Sequence, residues 1–179
     1  MFDTMAHIMP RPKLYLFVGY PGAGKTTASK IIERLTGATH LWADHVRGQM
    51  FERPRHSAGE SHELYEQLNQ LTGELLAAGK SVIYDTNFNF KHDRQAMRQI
   101  AAAHDADAVL IWITTPHASA RQRAIYPQSD SGTRVLGAMT GAEFDAIVAK
   151  LEPPSEDENP IKIDGTKLDV ATLSRHLSL

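Results

Sequence analysis

Gly19-Tyr20-Pro21-Gly22-Ala23-Gly24-Lys25-Thr26 fits the spacing G-x-x-x-x-G-K-[ST]. It stands between a short apolar run, Leu14-Tyr15-Leu16-Phe17-Val18, and a stretch that carries Ala28, Ile31, Ile32 and Leu35 at helical spacing. Strand, glycine-rich loop and helix in that order are what a backbone needs if it is to fold around a phosphate chain. Several N–H groups must point inward at phosphate oxygens, which demands torsions and close approach that side chains obstruct; Gly19, Gly22 and Gly24 supply that freedom. Lys25 is then placed to reach the β- and γ-phosphates and the Thr26 hydroxyl to ligate Mg²⁺, while the helix starting at Lys25 turns its positive end toward the anion. A plain Gly-Pro turn has no use for Gly24-Lys25-Thr26 at this distance from Gly19. The expected nucleotide-binding set is therefore Gly19, Pro21, Gly22, Ala23, Gly24, Lys25, Thr26 and Thr27.

The remaining pattern alternates in the same way. Thr39-His40-Leu41-Trp42, Ser81-Val82-Ile83-Tyr84, residues 108–114 and Ile161-Lys162-Ile163 read as further strands, nearly continuous in apolar residues as buried parallel strands are. Between them lie helical patterns. Leu64, Leu68, Leu71, Leu75 and Leu76 share a predicted face after a capping signal at Ser57 and Glu60, and Gly79 ends that stretch. Met97, Ile100 and Ala101 mark the next helix; Thr140 with Glu143 opens another that carries Phe144, Ile147, Val148 and Leu151; residues 168–177 form the last. The expected fold is α/β, a three-layer sandwich of the P-loop NTPase type, with about five parallel strands, helices on both faces and a small lid near residues 117–136. Residues 126–134 and 153–160 read as mobile loops.

At 179 residues the chain is expected to form one domain, 1–179. With 42% hydrophobic residues but no apolar run near the ~20 residues of a membrane span, it reads as soluble. The opening residues mix Asp3, His7 and Arg11 with scattered apolar positions and lack the apolar core of a secretion signal, so cytoplasmic residence is expected. The absence of cysteine excludes disulfides, thiolate zinc sites and cysteine nucleophiles. Nine histidines match no metal-ligand spacing, and most are expected at the surface or in caps. A formal net charge of −2 gives no basic field for long nucleic-acid tracts, so a small or end-bound acceptor fits better.

Chemistry-bearing residues cluster at predicted strand ends. Asp85 follows Val82-Ile83-Tyr84, where a carboxylate commonly organises the Mg²⁺ shell, although Asp-Thr-Asn is also good turn chemistry. Asp44 follows the second strand and can take the proton of a hydroxyl that attacks the γ-phosphoryl group; Arg47, one helical turn on, can hold an anionic part of that acceptor. The alternative for this pair is a helix cap and a solvated cation. Arg53, Arg55 and His56 add positive charge nearby. Arg121 and Arg123 follow the fourth strand, where a lid would bring positive charge onto the transferring group, with Arg134 farther along the loop.

Together, Gly19 to Thr27, Asp44-His45-Val46-Arg47, Asp85-Thr86-Asn87 and an arginine-bearing helix after Pro116 resemble the small P-loop kinases related to the 5′-hydroxyl polynucleotide kinase domain, a group that also includes zeta-toxin-like phosphotransferases. The resemblance runs from Lys13 to about Thr166. It implies ATP and Mg²⁺ as cofactors, Asp44 as general base, Arg47 as an acceptor-binding residue, Asp85 as the carboxylate that organises the site, and Arg121 as a lid arginine. The group typically presents two lid arginines one helical turn apart, whereas Arg121 and Arg123 are two residues apart and cannot share a helix face. Its acceptors range from nucleic-acid 5′-hydroxyl ends to sugars, antibiotics and other alcohols, so reaction type is implied more closely than substrate.

Two other readings remain. Thr166-Lys167-Leu168-Asp169 imitates the [NT]-K-x-D signature that reads guanine, but Asp85-Thr86-Asn87-Phe88 lacks the glycine that a D-x-x-G partner element requires. The Thr166 segment is better explained as a turn into the last helix with Asp169 in its first turn. An ATP-binding regulator or ATPase without an acceptor would leave Asp44 dispensable.

Overall fold

The apolar run ahead of the glycine-rich loop forms β1 (Lys13–Val18). Leu14, Leu16 and Val18 enter one core while Tyr15 and Phe17 enter another. Alternate residues point to opposite faces, so a strand apolar at every position must lie inside a sheet covered on both sides. The computed structural model describes residues 10–55, 57–127 and 138–179. It places β1 at the centre of a sheet with four others: β2 (Thr39–Trp42), β3 (Val82–Asp85), β4 (Asp107–Ile113) and β5 (Ile161–Ile163). All pairs are parallel and the order is β2-β3-β1-β4-β5. This is the α/β P-loop fold expected from the sequence. From β1 the chain builds first on one side, through β2 and β3, and then on the other, through β4 and β5. The crevice at the carboxyl ends beside such a switch in strand order is where ligands of these sheets bind.

The helices in chain order are α1 (Lys25–Thr36), α2 (Ala43–Met50), α3 (Ala58–Ala77), α4 (Lys91–Ala103), α5 (His117–Ile125), α6 (Gly141–Val148) and α7 (Val170–Leu177). Leu64, Leu68 and Leu76 of α3 and Met97 and Ala101 of α4 cover the face of Leu14 and Leu16. Ala28, Ile31 and Ile32 of α1 and Leu173 and Leu177 of α7 cover the face of Tyr15 and Phe17. Ala120 and Ala124 of α5 close on Phe144 of α6 in a separate small cluster that Tyr20 of the loop joins. Among the described residues, no helix is long and apolar enough to cross a membrane.

Local chemistry explains the helix ends. Ser57 Oγ accepts from the Glu60 N–H at 3.2 Å to cap α3, and the far end closes with Gly79 N–H on the Leu76 carbonyl (2.9 Å) and Lys80 N–H on that of Leu75 (3.0 Å), at a Gly79 φ of +72°. Thr140 and Glu143 form the full reciprocal capping box of α6. Leu151 lies just beyond that helix rather than on it, because the turn ends at Val148.

Two further expectations fail. Leu71 is 37% exposed while Thr72 is fully buried. The buried stripe of α3 runs through Leu64, Leu68, Thr72, Gly73 and Leu76, and the Thr72 hydroxyl is satisfied by the Leu68 carbonyl at 2.7 Å. Residues 153–160, expected as a mobile loop, are pinned by a buried ion pair. Arg94, with no exposure, donates to both Glu158 carboxylate oxygens at 2.7 and 2.9 Å and to the Phe88 and Glu152 carbonyls at 3.0 and 3.2 Å. Lys91 adds bonds to Ser155 and Asp157. A polar, proline-flanked segment looks like a loop in sequence; the buried arginine that orders it lies some 64 positions earlier. Residues 128–137, with Arg134 and most of the expected mobile segment 126–134, and His56 lie outside the described residues.

Candidate active site

The glycine loop leaves β1 at Gly19 and turns into α1 at Lys25. Gly22 has φ +75°, and a Cβ there would strike the Ala120 carbonyl and lie 2.9 Å from the Ala124 nitrogen. Glycine is thus required by torsion and by the close approach of α5. From the other side, Thr115 Oγ1 donates to the Ala23 carbonyl at 2.7 Å, and Gly165 fits beside both only because it lacks a side chain. Pro21 and Ala23 are buried, Thr26 is half-buried and Thr27 exposed. No side chain caps the start of α1, so its first N–H groups are left for the loop interior, where they and the helix dipole favour an anion.

Lys25 Nζ donates to the Gly19 and Tyr20 carbonyls, each at 2.9 Å. Burial pushes its ammonium down to about 8, against the opposing fields of Asp85 and Asp44. That coupling places the loop cation and the carboxylates at the ends of β3 and β2 in one electrostatic neighbourhood. Asp85 ends β3 with 4% exposure, and Asp44 lies in the first turn of α2.

Arg47, one turn beyond Asp44, is 5% exposed. Its Nη2 donates to Ser61 Oγ at 3.3 Å; its Nη1 is buried without a hydrogen-bond partner, with Glu60 Oε2 at 4.0 Å. A buried guanidinium with an unused N–H is costly in isolation and complementary to an anion or carbonyl. The structure does not bring Arg121 into contact with the phosphate loop: Nε meets Asp145 of α6 at 3.4 Å, and the guanidinium packs against Gly141. Arg123 Nη1 donates to the Gly165 carbonyl at 3.1 Å, tying α5 to the segment after β5. Asp169 is the N-cap of α7 rather than a first-turn residue, its carboxylate accepting from the Thr172 N–H at 2.6 Å, so it is committed to helix capping.

His40 is an exception among the histidines, neither at the surface nor in a cap. Its side chain is 8% exposed, with Nε2 3.1 Å from Asp85 Oδ2 and Nδ1 3.1 Å from Glu33 Oε2. Burial alone would lower its pKa, but the bonds to Asp85 and then Glu33 outweigh it and raise the value. No local motif marks His40. The parallel register pairs His40 with Ile83 and Trp42 with Asp85, which puts His40 and Asp85 on one face, but that register is visible only once the sheet is assembled.

Among the described residues, no three His, Cys, Asp or Glu side chains cluster as a metal site. The Thr26 hydroxyl and the Asp85 carboxylate are nevertheless hard oxygen donors of the type Mg²⁺ takes when phosphate oxygens and water complete its shell, so the residues present fit that ion.

A protein-family profile described as an AAA domain matches residues 14–154. The chain belongs to that family. No curated protein matches the sequence. Among solved structures, a putative kinase from Chloroflexus aurantiacus superposes with a TM-score of 0.73 at 20% identity, covering 95% of this chain and 96% of that one. An APS kinase from Mycobacterium tuberculosis, in complex with AMPPNP and APS, gives 0.68 at 18% identity over 95% and 98%. A gluconokinase from Sinorhizobium meliloti gives 0.61 at 16% over 93% and 89%. At these identities the AAA domain chain shares their fold, that of small P-loop kinases.

Proposed function

We propose that the protein is a Mg-ATP-dependent phosphotransferase that moves the γ-phosphoryl group to a hydroxyl acceptor, either a 5′-hydroxyl nucleic-acid end or a small-molecule alcohol. The observation that carries this reading is the glycine loop that runs from β1 into α1 with Lys25 bonded to the Gly19 and Tyr20 carbonyls, while Asp85 ends β3 and Asp44 lies in the first turn of α2. The loop amides and Lys25 stabilise charge on the β- and γ-phosphates. Thr26 and Asp85 would hold the metal, which would supply charge neutralisation on those phosphates. Asp44 accepts the proton of the acceptor hydroxyl as its oxygen bonds to the γ-phosphorus; the bond from phosphorus to the β,γ-bridging oxygen breaks, and ADP leaves with that electron pair.

Arg47 Nη1 supports an acceptor that carries an anionic or carbonyl group near its reacting hydroxyl. A cavity of about 320 Å³ lies beside Gly19 and Tyr20 of the loop, walled by Trp112, Thr114, Leu151 and Pro153. Arg121 closes over the transferring group. Its exposed pairing with Asp145 is of the kind that contributes little, roughly 0–1 kcal/mol, and so releases it readily.

The test is transfer from γ-labelled ATP, with Mg²⁺, to a panel of 5′-hydroxyl oligonucleotides, nucleosides, sugars and aminoglycosides. Labelled acceptor names the substrate class. Tight ATP binding with hydrolysis and no labelled acceptor would replace this reading with an ATPase or nucleotide-gated regulator, and a guanine preference in competition would replace it with a GTP-binding switch.

A further inference from the structure

Glu33, His40 and Asp85 form a line across one face of the sheet, from α1 through β2 to the end of β3. The imidazole is held in its plane as well as at its edge. The Trp42 ring stacks against it at 16° with centroids 6.3 Å apart, and Lys30 Nζ lies 5.2 Å from the centre of the Trp42 ring. Trp42 in turn stacks on His45, next to Asp44, with centroids 5.9 Å apart. A carboxylate at a strand end turns freely about its Cβ–Cγ bond unless one oxygen is fixed. In Asp85 that oxygen is Oδ2, bound by a ring that Glu33 and Trp42 immobilise.

We propose that His40 is a positioning residue of the phosphoryl-transfer site: its Nε2 fixes Oδ2 of Asp85, so that the carboxylate offers its other oxygen in one orientation to the divalent cation that arrives with the nucleotide. The inference rests on the reading of Asp85 as a metal-holding carboxylate. Outer partners of this kind orient metal ligands, and their loss usually weakens metal binding about 10- to 100-fold. A simple packing role for His40 predicts lower stability without a selective change in the response to metal.

Glutamine and asparagine separate the two roles. A glutamine side chain at position 40 carries its amide nitrogen to about the place of Nε2 and still donates to Asp85; asparagine reaches only as far as Nδ1. The readout is the affinity of a fluorescent ATP analogue titrated over a range of Mg²⁺ concentrations, which requires no acceptor and no turnover. His40→Asn is expected to raise the Mg²⁺ concentration for half-maximal enhancement of nucleotide binding by about tenfold or more, with metal-free nucleotide affinity unchanged. His40→Gln is expected to stay near the unsubstituted protein, and circular dichroism melts check that both variants fold. A wild-type Mg²⁺ response in His40→Asn, or equal defects in both variants, overturns the positioning role. Asp85→Asn separates the two layers of the argument. If it lacks the Mg²⁺ response while His40→Asn keeps it, this inference alone fails; if Asp85→Asn also responds like the unsubstituted protein, the metal-holding reading of Asp85 fails and the inference falls with it.

Discussion

Glu158→Gln should unfold the protein more easily by about 3 kcal/mol, and the size follows from two independent routes. The Arg94–Glu158 pair is fully enclosed, Arg94 having no exposure and the Glu158 side chain 5%. Removing one charge from a buried pair strands the other and typically costs about 3–5 kcal/mol. Separately, the hydrogen bonds from Arg94, against the opposing effect of burial, hold the Glu158 carboxyl at about 2 rather than 4.5. At about 1.4 kcal/mol per unit, that displacement corresponds to roughly 3 kcal/mol of stability. Because the folded value lies below the ordinary one, this contribution is complete above pH 4.5 and is lost as the pH falls toward 2. Urea denaturation at neutral pH should therefore show a lower midpoint with an unchanged slope, and the melting temperature should fall by about 8 °C for a chain of this length. The difference between the two proteins should shrink as both are measured below pH 4. Replacing Arg94 and Glu158 together by apolar residues should recover only part of the loss, because the Phe88 and Glu152 carbonyls lose their donor as well. A loss under about 1 kcal/mol, or one that does not change with pH, would refute the assignment of this pair as the clamp on residues 153–160.

Lys25, whose ammonium is lowered to about 8, should make ATP binding pH-dependent. Phosphate needs the charged form, so affinity should weaken about 20-fold between roughly pH 7.5 and 9.5, with proton uptake on binding visible as buffer-dependent calorimetric heats; a flat profile would contradict it. Gly22→Ala combines an unfavourable φ of +75° with a collision against α5. It should lower stability by about 1–3 kcal/mol in a thermal melt and abolish measurable nucleotide binding, whereas tolerance would mean that α5 does not pack on the loop as described.

The sheet was legible because every one of its strands is short, apolar and bounded by turn residues, and all five appear where expected with ends shifted by no more than one residue. The phosphate loop was legible because its backbone demands leave a local trace in Gly19, Gly22, Gly24 and Lys25. Asp85 was legible as the end of a strand, and Asp44 and Arg47 as residues just after one. His40 and Arg94 were not, since each takes its role from partners distant in the chain: Asp85 is 45 residues from His40, and Glu158 is 64 from Arg94. Leu71 was misplaced for a local reason: hydrophobicity favours it over Thr72, while the hydroxyl bond to the Leu68 carbonyl one turn back lets Thr72 occupy the core. Polar partners, near or far in the chain, decide what hydrophobic periodicity cannot.

The central claim is that Asp44 removes a proton from an acceptor hydroxyl during phosphoryl transfer. The most direct measurement compares Asp44→Asn with the unsubstituted protein for ATP affinity and for labelled phosphate transferred to the acceptor found in the panel. The account predicts near-normal ATP binding with transfer reduced by about 10²–10⁴. Transfer at an undiminished rate in Asp44→Asn would contradict it.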